Sequence, residues 1–257
     1  MELQLLAVAK IQDFLICLAR MGALVGALPV FGGSQTPPRM LAALAVTLTL
    51  VVFPVLEPFF PRETLQPLAL GLLIGQEALF GVMIGLVARL IFTAVEFGGT
   101  VVGYQMGFAA ANVFDPQGQR QISLISQFQN VFAMLIFLAL DMHHVFFRAV
   151  VHSYKLLPPG QFQFAAGVPY LMDLAGQMFV LGIKFSAPIL AVLLLSGFVL
   201  GILARVFPQM NVFLLSFPLN IGVAFLVIGL TLNLVVVLLT REFNALGERF
   251  MTLFELL

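Results

Sequence analysis

Glu77, Arg89, Glu96, Asp141 and Lys184 stand inside otherwise apolar runs of the chain. A charge in an apolar helix is expensive, so each needs a partner, water or a function. Two kinds of chemistry fit. A carboxylate among Glu77, Glu96 and Asp141 could relay protons or hold a cation, as in a small proton- or cation-coupled secondary transporter; alternatively, the charges tie packed helices together as ion pairs. Arg89 and Glu96 are seven apart, on one helix face but two turns distant, so each reaches for a neighbouring helix more readily than for the other. We expect Glu77, Arg89, Glu96 and Lys184 to be buried ion-pairing groups. His143, His144 and His152 could suggest a metal, but adjacent helical histidines diverge by about 100° and Asp141 is the only carboxylate near them. They are expected to be plain residues at a polar boundary. No Gly-x-Ser-x-Gly, phosphate-cradling loop or His-Glu-x-x-His is present, and Ser123, Ser126 and Ser196 are ordinary helix serines. Neither a catalytic residue nor a metal or cofactor is expected. The single cysteine, Cys17, can form no intrachain disulfide and reads as a small buried hydrophobe.

A second kind of chemistry is mechanical. Gly98-Gly99-x-x-x-Gly103-x-x-x-Gly107 places small residues four apart, which lets helix backbones approach closely. Directly after it, residues 106–118 are the least helical part of the middle, with turn chemistry at Asp115-Pro116 and bulky apolar groups at Met106, Phe108, Val113 and Phe114. Irregular backbone at membrane depth survives only when buried in protein or lining a cavity, so this segment is a hydrophobic gate or an ordinary connection. A later break around Pro208 carries Arg205, Gln209 and Asn211, the last able to cap the returning helix. It is either a partner contact or a turn that satisfies only itself.

The elements that must position these residues are apolar helices. Of 257 residues, 61% are hydrophobic and 9% charged, against about 25% charge in an ordinary soluble domain, too little to cover a globule. Basic and acidic residues balance at 12 each, leaving no basic patch to hold a phosphate backbone or anionic lipid by charge alone, and this excludes nucleic-acid binding as a primary role. Trp is absent while Phe numbers 27, which favours an apolar interior over an interfacial aromatic belt. Stretches of helical length run from Leu3 to Phe31, Met40 to Phe60, Leu65 to Ile91 and on toward Gly103, Gln121 to Leu140, Val145 to Leu157, Pro169 to Ala204 with interruptions at Lys184 and Pro188, and Val212 to Thr240. Phe243, Leu246, Phe250, Leu253 and Phe254 then alternate with charges at helical spacing, predicting an amphipathic end helix. The start lacks the basic region of a signal peptide, and we expect one hydrophobic helical unit over residues 1–257 with no soluble domain. Basic residues are spread too evenly over the loops to orient the chain.

The run Gly103-Tyr-Gln-Met-Gly-Phe-Ala-Ala-Ala-Asn-Val-Phe-Asp-Pro-Gln117, together with Ala204-Arg-Val-Phe-Pro-Gln-Met-Asn-Val-Phe213 and an early Arg20 to Pro29 then Pro37-x-Arg39 pattern, resembles the FliR family of flagellar export-gate proteins. The resemblance covers essentially the whole chain and looks more flagellar than injectisomal. It implies an all-α, integral-membrane-derived fold of kinked helical hairpins, with a FliP-like part at 1–168 fused to a FliQ-like hairpin and amphipathic helix at 169–257. One copy would assemble with several FliP-like and FliQ-like subunits in the bacterial inner membrane, within the basal body export apparatus. There it would form a conduit for unfolded flagellar proteins, with a FlhB-like subunit at the cytoplasmic side. The segment 106–121 would plug the closed pore, Met106, Phe108, Val113 and Phe114 sealing it and Asp115, Pro116, Gln117 and Gly118 shaping the turn. Arg205, Pro208, Gln209 and Asn211 would contact partners. No nucleic-acid partner is implied.

Overall fold

The computed structural model describes residues 2–32, 36–60, 65–107, 124–161 and 163–257. Every regular element among them is helical. In chain order these are α1 (Glu2–Ala27), α2 (Pro38–Leu56) followed by a 3-10 turn at Glu57–Phe59, α3 (Pro67–Gln105), α4 (Leu124–Ala139), α5 (Met142–Leu156), α6 (Phe164–Val206), α7 (Val212–Asn244) and α8 (Leu246–Leu256).

The boundaries follow local chemistry. Pro38 opens α2 at a position where its missing N–H costs nothing, and Pro54 near the other end precedes the tightening into the 3-10 turn. Asp141 breaks the chain between α4 and α5 by adopting a left-handed backbone, φ 53°, which Asp tolerates better than most residues. In contrast, α6 runs unbroken through Lys184 and Pro188, where the sequence predicts an interruption. The proline removes one backbone bond, but apolar residues on both sides leave the helix no better way to satisfy the rest of its ladder. α3 at 39 residues and α6 at 43 exceed the roughly 20 that cross a bilayer.

The helices contribute to two compact units, and neither is a continuous piece of chain. The first comprises Met1–Leu90, Asp141–Ala175 and Phe243–Leu257. Its core combines Ile16, Met21 and Leu24 of α1, Phe80 and Ile84 of α3, Phe146 and Val150 of α5, and Phe250 and Leu253 of α8. Edge-on packing of Phe146 against Phe250, with centroids 4.9 Å apart, fixes α8 on α5. The chain end is tied down as well, the Gln163 amide donating to the Leu257 carbonyl at 2.9 Å. Gln12 of α1 holds the entry to α3 through both its amide groups, giving one bond to the Leu65 carbonyl and accepting one from the Leu65 amide.

The second unit comprises Ile91–Leu140 and Gly176–Glu242. Val102 and Met106, Ile125 of α4, Ile189 and Leu193 of α6, and Ala224 and Ile228 of α7 form its core. The paired glycines of α3 work on two sides. A Cβ on Gly98 would stand 2.7 Å from the Gly182 carbonyl of α6, and one on Gly99 would stand 2.5 Å from Ser126 Cα of α4. Only glycine permits both approaches. Ser196 of α6 bonds Asn220 of α7 at 2.9 Å, adding a polar tie to an otherwise apolar hairpin.

Candidate functional site

The most elaborate polar arrangement in the first unit centres on Arg20. On α1 this residue lies three positions after Cys17 and four before Leu24, so helical geometry carries its side chain into the core beside them. Its Nε donates to Oε2 of Glu77 on α3 at 2.5 Å, Nη1 donates to Ser153 Oγ of α5 at 2.8 Å, and Nη2 donates to the Leu157 carbonyl at 3.3 Å. The Ser153 hydroxyl in turn donates a hydrogen bond to the Val150 carbonyl. The guanidinium is sandwiched 4.4 Å from the Phe80 ring centroid and 3.8 Å from that of Tyr154. Arg20 and Glu77 are both fully buried. A planar group with five donors suits this role, because it ties its own helix to α3 and α5 at once while keeping its charge compensated. The second Glu77 oxygen, Oε1, is buried without a partner among the described residues. Beside the knot, burial pushes the Cys17 thiol up to about 11, which suppresses its thiolate and keeps it inert.

In the second unit α3 ends at the start of the segment expected to form the plug. Met106 is fully buried in the core formed with α4, α6 and α7, its amide still bonded to the Val102 carbonyl at 2.9 Å. Gly107 follows with φ 94°, a conformation that L side chains rarely adopt, and a Cβ there would stand 2.6 Å from the Phe217 ring of α7. The chain therefore leaves α3 from a pinned base. Phe108, Val113, Phe114, Asp115, Pro116, Gln117 and Gly118 lie outside the described residues.

The turn between α6 and α7, in contrast, is exposed. The Phe207 amide still reaches the Leu203 carbonyl, Met210 bonds Phe207, and Asn211 caps α7 by accepting the Leu214 amide at 3.3 Å through Oδ1. Arg205, Pro208, Gln209 and Asn211 are all exposed, with Phe207 and Met210 between them. The turn satisfies its own backbone and leaves its side chains facing outward.

The described residues hold four helical runs long and apolar enough to cross a membrane, or five if α4 and α5 are taken as one broken span; α1, carrying Lys10, Asp13 and Arg20, is not among them. The apolar window of α3 is 61% buried, but those of Pro38–Phe59, Phe164–Val206 and Leu214–Leu256 are each 17% buried. Three of four spans thus present apolar surface to lipid or to other proteins. Residues 11–246 match the family described as bacterial export proteins, family 1. The chain belongs to that family. It is 30% identical over 95% of both chains to the flagellar biosynthetic protein FliR of Bacillus subtilis (strain 168). It is also 32% identical to the FliR of Pectobacterium carotovorum subsp. carotovorum, over 88% of this chain and 86% of that protein. With the FliR of Escherichia coli (strain K12) it shares 28% identity, over 80% and 78%.

Within this export-protein family member, the charges that stand in apolar runs are arranged unevenly. Glu77 is buried against Arg20, whereas Glu96 is half-buried and Arg89 and Lys184 are exposed in the chain. Asp141 and His144 approach to 3.8 Å at the surface, and the Asp141, His143 and His144 ligand atoms lie within 4.8 Å of one another, a proximity that exposed acidic groups often show without an ion. Arg20, Ser153 and Tyr154 are the site residues that spacing alone does not single out. One signal was available: a buried carboxylate at 77 demands a cation, and Arg20 is an arginine within the first apolar stretch.

Proposed function

We propose that this chain is a core subunit of the flagellar type III protein export gate, in the bacterial inner membrane. Together with FliP-like and FliQ-like subunits it forms the conduit for unfolded flagellar proteins, and a FlhB-like subunit docks at the cytoplasmic side. The observation that carries the reading is the low burial of three long apolar runs in a member of a bacterial export family. Helices so apolar on so many sides are suited to an assembly in which neighbouring subunits cover them.

A closed gate must stop ions, and an open one must pass a polypeptide of any charge. Apolar side chains on a segment leaving a rigid base serve both needs better than fixed charges, which would retain substrate stretches of opposite sign. Residues 106–121 are the plug, anchored by buried Met106 and by Gly107 against Phe217. Arg205, Pro208, Gln209 and Asn211 supply a preformed contact for partner subunits. Commitment of Glu77 to Arg20 weighs against the secondary-transporter reading, since that carboxylate's charge is already compensated.

The test is an ion-leak assay on cells expressing the assembled gate with residues 109–117 deleted. A raised membrane conductance is expected, with the complex still formed; unchanged impermeability would overturn the plug.

A further inference from the structure

Zero net charge conceals a local accumulation on α5. Arg148, His152 and Lys155 recur at i, i+4 and i+7, which brings them within about 60° of one another around the helix. All three are exposed, and none forms an ion pair among the described residues. Together with Phe147 and Val151 they line an open groove of about 340 Å³ along the face of α5. A slot of about 170 Å³ lies between α5 and α8, shares Arg148 and His152, and is otherwise apolar: Val145, Ala149, Gly247, Phe250, Met251 and Phe254. The α8 carboxylates Glu248 and Glu255 line neither.

We propose that this open groove, with the slot beside it, is a binding site for an anionic glycerophospholipid. The phosphate sits against Arg148 and Lys155, with His152 between them, and an acyl segment lies in the slot between α5 and α8. Two features select this occupant. A free inorganic anion would gain nothing from the Phe250, Met251 and Phe254 walls, whereas a lipid matches an apolar slot that continues directly into a cationic rim. The supply is also at hand: α4 and α5 together are apolar enough for a membrane span, and Pro158-Pro159 ends the helix just beyond Lys155, where basic residues meet headgroups.

The full chain, extracted in mild detergent and stripped of lipid, would be titrated separately with dioleoyl phosphatidylglycerol, dioleoyl phosphatidylcholine and inorganic phosphate, and bound lipid read by native mass spectrometry. Phosphatidylglycerol should be retained about thirtyfold more tightly than phosphatidylcholine, the margin that two basic groups give. The preference should vanish in the Arg148→Gln/Lys155→Gln variant and survive in Arg148→Lys/Lys155→Arg; because these side chains are exposed, neither pair disturbs the core. Met251→Trp, which fills the slot, should weaken phosphatidylglycerol while leaving the cations intact. Equal retention of both lipids, a preference that persists in the Gln variant, or competition by inorganic phosphate as effective as by phosphatidylglycerol would overturn the proposal.

Discussion

At the scale of single residues, the buried charge pair is where one atom matters most. Removing one partner of a buried ion pair leaves the other uncompensated, at a cost of about 3–5 kcal/mol, whereas replacing both by apolar groups of similar volume is often nearly neutral. Arg20→Met or Glu77→Leu alone should therefore lower the thermal midpoint in detergent sharply and expose Cys17 to thiol labelling. The double variant should recover much of both losses. Equal damage from single and double variants would mean that Arg20 matters through Ser153, Leu157 and the flanking rings instead of through Glu77. A pH effect belongs to Asp13, which lies on α1 beside the Lys10–Glu57 pair. Burial first, and the Glu57 charge second, raise its carboxyl to about 6. The folded chain thus holds a proton that the unfolded chain releases near the ordinary aspartate value of 3.8, so this group's contribution favours folding below that pH, declines as pH rises to about 6, and is constant above it. Asp13→Asn should remove that decline, seen as the wild-type minus variant difference in midpoint between acid and neutral pH.

At the scale of elements, close approach and capping are the testable devices. Gly98→Leu should push α6 away from α3 and cost about 1–3 kcal/mol through overpacking, measured as a lower midpoint and faster proteolysis in the second unit. At the α6–α7 tip, Arg205→Ala should leave the chain inserted but weaken its co-purification with FliP-like and FliQ-like subunits; undiminished recovery of the complex would remove the tip from the interface. The existence and approximate extent of the helices were legible in the sequence, because apolar runs of helical length punctuated by Pro, Gly and charge have few other readings in a membrane protein. Helix α6 runs on through Lys184 and Pro188, against the expected interruption, because apolar surroundings that discourage a broken ladder outweigh a proline's local penalty. Partnering was far less legible. Arg20 and Glu77 are 57 residues apart, and no local periodicity links them. The basic ridge on α5 was present at spacings four and three, but charge counted over the whole chain averaged it away.

On the scale of the whole molecule, composition has a more particular meaning than a stack of lipid-facing spans. One long helix is largely buried within the chain while the other apolar runs are largely bare, and the family is one of export proteins. The covering surface is supplied by other subunits of the gate, on the reading proposed above. Native mass spectrometry of the complex, drawn from membranes after co-expression with FliP-like and FliQ-like partners, tests this most directly. One copy of this chain bound to several copies of each partner is predicted. A chain that leaves the membrane as a stable monomer, its long helices accessible to lipid and neither partner retained, would contradict it.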